Sequence, residues 1–217
     1  MMEERTMIPV PEYLKELACE ESRKGTWLTF SVKCTCGNQH FIVFKNCQTK
    51  QEQEQMKPYN DALVDSVSGC WASTCTRDED GTLHYWKLYT PLGLKGPKKE
   101  VFIPEAPPFA FVEVVKIVCS SCGKEHTLFD SRVHGYDGMI SEKQSAKLSY
   151  QPTFKKKCRT PVTIKVKIEN DLTLEEFRGN SGLDANEESY ANGFGWIGIY
   201  VTNSDGKTKK IFEFETA

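Results

Sequence analysis

The sequence predicts a mostly β or α+β chain of antiparallel hairpins with a few short helices. Three observations carry this. Runs rich in Val, Ile, Phe and Trp are short and are bounded by turns containing Gly, Asn and Asp. Long helices do not alternate with these runs, which argues against a doubly wound parallel sheet. Cysteine pairs stand at the ends of two of the runs, in a pattern that repeats.

The elements follow in order. Pro9 and Pro11 precede Tyr13, Leu14, Leu17 and Ala18, which share one helical face, and Gly25 stands where that helix would stop. Thr26 to Lys33 is a strand marked by Trp27, Leu28, Phe30 and Val32, and His40 to Phe44 reads as its hairpin partner. Gln48 to Met56 is polar without apolar period, a loop or a solvated helix. Cys70 to Thr76 and Thr82 to Tyr89 flank an acidic turn ending in Gly81, a further hairpin. Pro91 to Pro108 holds five prolines and reads as a linker or surface loop. Phe109 to Val118 is a strand. Ser141 and Gln144 form a capping box for a helix over Glu142 to Leu148. Val162 to Ile168 alternates apolar residues with Lys, a half-buried strand. Thr173 and Glu176 cap another short helix that Gly179 ends, and 179–193 reads as a long loop. Trp196 to Thr202 and Lys209 to Phe214 form the last hairpin.

Composition narrows the class further. The chain has 217 residues, 28 basic against 30 acidic, a net charge of −2 and nine cysteines. A chain of this length can bury its own core, so the cysteines are not needed to rescue one. No apolar run approaches the roughly 18 residues of a membrane helix; the most apolar window, Phe194 to Val201, is broken by Gly195 and Gly198. The first residues are acidic and lack the apolar core of a secretory signal, which predicts a cytoplasmic protein with reduced thiols. An odd number of cysteines cannot all pair within one chain. Near-neutral charge argues against a protein whose main task is gripping nucleic-acid phosphates.

The cysteines carry the strongest signal. Val32-Lys33-Cys34-Thr35-Cys36-Gly37-Asn38-Gln39-His40 and Ile117-Val118-Cys119-Ser120-Ser121-Cys122-Gly123-Lys124-Glu125-His126 share one plan: strand, Cys, one or two residues, Cys-Gly, two residues, His, strand. Two cysteines in a tight turn aim both sulfurs at one ion, and the glycine lets the backbone turn back at positive φ. Two such turns complete a tetrahedral site of Cys34, Cys36, Cys119 and Cys122, around which the fold would be organised as a structural zinc site. The two hairpins resemble the paired zinc knuckles of zinc-ribbon modules. The second matches that pattern well, whereas the first is one residue short and its geometry would be atypical. The 82 residues between Cys36 and Cys119 exceed the usual gap, so the chain between the knuckles would be an insertion. The domain reading is therefore 1–150 as a zinc-knuckle β domain with an insertion at about 48–108, and 151–217 as a C-terminal β-hairpin region packed on it.

His40 and His126 occupy matching positions after the glycines. They could serve two Cys₂His sites completed by Cys70, Cys75 or Cys158; a packing role beside four thiolates is favoured. Cys70 and Cys75 read as core residues, and Cys19, Cys47 and Cys158 have no ligand-like partner nearby.

Phe129 to Gly138 is the densest group of functional side chains. Asp130, Arg132 and His134 alternate onto one face, with Asp137 close behind, and could bind an anion or supply acid–base chemistry. A structural turn with Asp and Arg paired is favoured over that. A cysteine nucleophile served by His134 is weaker still, because no cysteine sits in a catalytic motif. Asp184, Asn186 and Glu188 open like a calcium loop, but the Gly and closing Glu are missing. Lys155, Lys156, Lys157, Arg159, Lys165 and Lys167 form a basic stretch, followed along the chain by seven acids between Glu169 and Glu188. Mutual compensation is favoured over a nucleic-acid groove with Tyr150 and Phe154 as stacking groups.

The sequence thus predicts a cytoplasmic, zinc-organised binding or scaffolding module. Its partner is a protein or small anionic ligand, with nucleic acid unfavoured and no membrane. The enzymatic alternative is a hydrolase or transferase using the Asp130–Gly138 loop.

Overall fold

The computed structural model describes residues 8–67, 72–77, 79, 82–87, 98–102, 104–136, 138, 145–170, 174–181 and 187–216. It is mostly β, and every strand pairing among the described residues is antiparallel. The chain divides into two compact units, one formed by the segments up to Cys47 and from Phe111 onward, the other by Gln48–Ala110.

The first unit holds two sheets. One has five strands: β1 (Ala18–Lys24), β2 (Trp27–Val32), β10 (Thr163–Glu169), β11 (Trp196–Thr202) and β12 (Thr208–Glu215), in that order. The other runs β8 (Glu125–Asp130), β7 (Val114–Cys119), β3 (Phe41–Cys47), β9 (Thr153–Lys156). Period-two burial explains the strands. Leu28, Phe30 and Val32 of β2, Ile164, Val166 and Ile168 of β10, and Ile197, Ile199 and Val201 of β11 all turn inward. They meet Phe41, Val43, Ile117, Leu128 and Phe129 of the second sheet in one apolar cluster. An isolated bridge between Phe41, at the start of β3, and Val162, just before β10, joins the two sheets, each N–H donating to the other's carbonyl at 2.9 Å.

The second unit consists of helix α1 (Lys50–Val67) and the sheet β4 (Ala72–Arg77), β5 (Thr82–Lys87), β6 (Lys98–Phe102). The described elements also include the short helices α2 (Ser145–Ser149), α3 (Leu174–Ser181) and α4 (Glu187–Asn192) and the 3₁₀ turns Glu12–Leu14 and Pro108–Phe111.

Several expectations are corrected. The N-terminal helix is only a three-residue 3₁₀ turn, Glu12–Leu14, and the chain continues as β1. Gly25 does have positive φ, 61°, but it serves the two-residue turn closed by the Lys24–Trp27 pair rather than a helix end. The strand from Phe41 does not pair with β2; its partners are β7 and β9, while β2 lies between β1 and β10. The proline-rich span contains β6, and its prolines at 104, 107 and 108 fall beyond that strand. Gly179 lies inside α3, and the expected loop after it contains α4. The helix expected from Glu142 appears as Ser145–Ser149; its capping pair, like Thr173, lies outside the described residues.

Candidate metal centre

The two knuckles meet because of strand register. The first precedes β3 and the second follows β7. Antiparallel pairing sets Phe41 opposite Cys119, which brings the beginning of one strand to the end of the other. The four sulfurs of Cys34, Cys36, Cys119 and Cys122 all lie within 4.8 Å of one another and could hold a metal ion. Cys34 Sγ is 3.6 Å from Cys122 Sγ, and Cys36 Sγ is 3.6 Å from Cys119 Sγ. Four sulfurs at ~2.3 Å from a tetrahedral ion stand about 3.8 Å apart along each edge, so the donor set fits such an ion. Cys34 and Cys119 are buried, Cys36 and Cys122 exposed. The site thus has one wall in the core and one at the surface.

The missing residue of the first knuckle is absorbed in the turn. Gly123 N–H donates to the Cys119 carbonyl four residues back, whereas Gly37 N–H reaches the Cys34 carbonyl three residues back. Each loop is then closed alike, Cys34 N–H to Asn38 O at 2.8 Å and Cys119 N–H to Lys124 O at 2.9 Å. Gly37 and Gly123 sit at φ 90° and 75°, the left-handed region that favours glycine.

The local field favours charge on one sulfur, that of Cys119. Burial pushes the Cys119 thiol up. The Cys122 N–H, the Asn38 amide and the Ser121 N–H pull it down, and it ends at about 6. Cys36 is lowered by the Asn38 N–H but raised by desolvation and by the sulfurs of Cys122, Cys119 and Cys34, and it ends at about 12. The Cys119 thiolate therefore forms readily, while the Cys36 thiol keeps its proton. A cation among the sulfurs would reverse that second effect.

Asn38, which nothing in the spacing singles out, ties the knuckles together. Its Nδ2 donates to the His40 carbonyl at 2.6 Å, and to Cys119 Sγ and Ser120 Oγ at 3.2 Å each. The matched histidines diverge. His126 Nε2 lies 3.6 Å from Cys34 Sγ, beside the cluster. Burial, with Lys124 nearby, lowers its pKa, which favours the neutral ring. His40 is exposed, and its backbone carbonyl also accepts from Ser120 N and Oγ.

Of the remaining cysteines, Cys158 is buried in the apolar cluster, and Cys19 Sγ lies 3.3 Å from the Ser31 carbonyl. Cys75 falls in β4, and Cys70 lies outside the described residues.

The loop after β8 forms a second, self-contained group. Arg132 grips Asp130 with two bonds, Nε to Oδ1 at 2.8 Å and Nη2 to Oδ2 at 2.6 Å, and its Nη1 donates to the Tyr150 carbonyl at 2.7 Å. His134 stacks on Tyr13 with ring centroids 3.6 Å apart, and its Nδ1 accepts the Asp130 N–H at 2.9 Å. Burial pulls its pKa down to about 4 against an opposing pull from Asp130. The imidazole is therefore neutral near pH 7 and works as a packed acceptor. Asp137 lies outside the described residues. Of the basic stretch, Lys155 and Lys156 are on the edge strand β9, and Lys167 lies 3.6 Å over the Trp27 ring.

Compared with known proteins, the chain matches no family model, no curated protein and no solved structure. No helix among the described residues is long and apolar enough to cross a membrane.

Proposed function

We propose that this is a cytoplasmic binding or scaffolding module whose two knuckles, zinc-ribbon-like, hold one structural zinc ion. The observation that carries the reading is the convergence of four sulfurs within 4.8 Å from turns far apart in sequence. Soft thiolates in a closed tetrahedron suit zinc. All four positions are taken by protein, so the ion has no open site for substrate and its role is mechanical. It pins the turn before β3 to the turn after β7, across a loop whose closure would otherwise cost entropy. The partner we favour is a protein or a small anionic ligand. The bidentate Asp130–Arg132 pair and the stacked His134 support a structural role for the 129–138 loop rather than hydrolysis or group transfer.

Metal analysis on the purified chain and on Cys119→Ser tests this. The wild type carries about one zinc per chain. The variant loses it, together with at least about 3 kcal/mol of stability, because metal binding free energy is folding free energy. A Cys119→Ser protein that keeps its stability would sink the proposal.

A further inference from the structure

A cleft of about 630 Å³ opens where the segment after β9 meets the end of β11 and the β11–β12 turn. Its floor is apolar: Cys158, Val162 and Val201, all buried. Its rim carries Lys157, Arg159, Lys207 and Lys209, all exposed, and no lining residue is acidic. The sequence shows Lys157 and Arg159 as part of one basic run. Only the fold adds Lys207 and Lys209 from the far hairpin.

The basic side chains of this surface divide into those that make an ion pair and those that do not. Lys15, Arg23, Lys45, Lys116 and Lys210 each pair with a glutamate. Among the described residues, none of the four rim cations makes an ion pair. Their mutual repulsion is held in place by ordered backbone. Lys157 N–H donates to the Val43 carbonyl at 2.8 Å, and the Phe41–Val162 bridge anchors the other end of that segment. Asn203 Oδ1 accepts the N–H groups of Asp205 and Lys207, at 3.1 and 2.9 Å, and Gly206 turns the chain at φ 75°. Val201 and Lys209 are register partners, so the far rim is fixed to the floor. A rigid concavity of like charge with low-dielectric walls concentrates counter-ions of the opposite sign.

We propose that this cleft binds a multiply charged, phosphate-bearing anion of nucleotide size. Four cations converging on one cleft match several phosphate charges at once. Thr160 and Thr208 line the same space; the Thr208 hydroxyl shares a hydrogen bond with Thr202 Oγ1 at 2.8 Å, and a threonine hydroxyl such as that of Thr160 can donate to a phosphate oxygen. The volume falls in the usual range of small-molecule sites, roughly 300–1,000 Å³, and the apolar floor suits the uncharged part of such a ligand. The phosphates could come from a free nucleotide or from a nucleic-acid strand, because the recognising chemistry is the same.

Calorimetric titration of the full-length chain at low salt distinguishes these, using tripolyphosphate, ATP and a twelve-residue oligothymidylate as probes. Zinc content is measured on the same sample, so loss of the metal and loss of anion binding are read separately. At least one probe should bind saturably and weaken as salt rises. Its affinity should fall at least about tenfold in Lys207→Ala/Lys209→Ala and in Arg159→Ala, and little in the control pair Lys50→Ala/Lys57→Ala. Saturable binding of tripolyphosphate or ATP marks a free phosphate ligand, and binding of the oligonucleotide alone marks a strand. No saturable binding by any probe overturns the proposal. So does binding that survives both cleft variants, or that falls equally in the control pair.

Discussion

Burial decides which titratable groups stay neutral, and His134 shows the consequence for stability. Its ring lies between Tyr13 and the Asp130 backbone, and its pKa falls from 6.5 to about 4. The folded state thus resists a proton that the unfolded chain accepts at about 6.5. The stabilising contribution is complete above pH 6.5 and is lost as pH drops from there through 4. Denaturant unfolding at a series of pH values should show stability declining across that window, with a shallower decline in His134→Phe. An equal slope in the two proteins would contradict this. At this scale the sequence is a partial guide. Alternation groups Asp130, Arg132 and His134, and the favoured structural turn agrees with the Asp–Arg pairing. Nothing local reveals that Tyr13, more than a hundred residues away, supplies the surface on which His134 stacks. Asn38 escapes notice for the same reason: its bonds to Cys119 and Ser120 exist only once β3 and β7 are in register.

Turns and caps govern the elements, and they separate what is readable from what is not. Gly135 sits at φ 75°, and a Cβ there would stand 2.5 Å from Thr216 Cγ2. Gly135→Ala should therefore cost about 2 kcal/mol, from backbone strain plus displacement of the C-terminal strand. Thermal unfolding measures it, and an unchanged midpoint would contradict the packing. The β2, β10 and β11–β12 runs are legible because one face is buried and the apolar period is two. Helix α1 was readable from a different signal. Thr49 and Glu52 form a reciprocal capping box, with bonds of 2.6 and 3.2 Å, although the residues after them lack apolar period and include Pro58. The first turn fails as a helix because tertiary pairing outweighs propensity. Leu14 and Leu17 are buried by the core without helical periodicity beyond them, and from Ala18 the backbone is taken up by β2.

For the whole molecule, the repeat of Cys, Cys-Gly and His made the donor set legible before the sheets were, because ligand spacing is a local property. Which strands pair was not legible: β2 and β3 are neighbours in sequence yet lie in different sheets, and pairing follows the long-range burial of both inner faces. The chain between the knuckles leaves and returns at adjoining points. Asn46 Nδ2 donates to the Val112 carbonyl at 2.6 Å, and its Oδ1 accepts the Val114 N–H at 2.9 Å. Loop closure cost grows only slowly with length, so a long excursion there is tolerated. Replacing Gln48–Ala110 with a short Gly/Ser linker should leave metal content and the melting of the remaining sheets intact; loss of either would show that the two units depend on each other. In the proposed structure, four thiolates from two distant turns share one ion. X-ray absorption at the zinc edge, on protein purified without added metal, tests it most directly. About one zinc per chain, surrounded by four sulfurs at about 2.3 Å, is the expected result. A folded protein without metal, or a first shell containing fewer than four sulfurs, would contradict it.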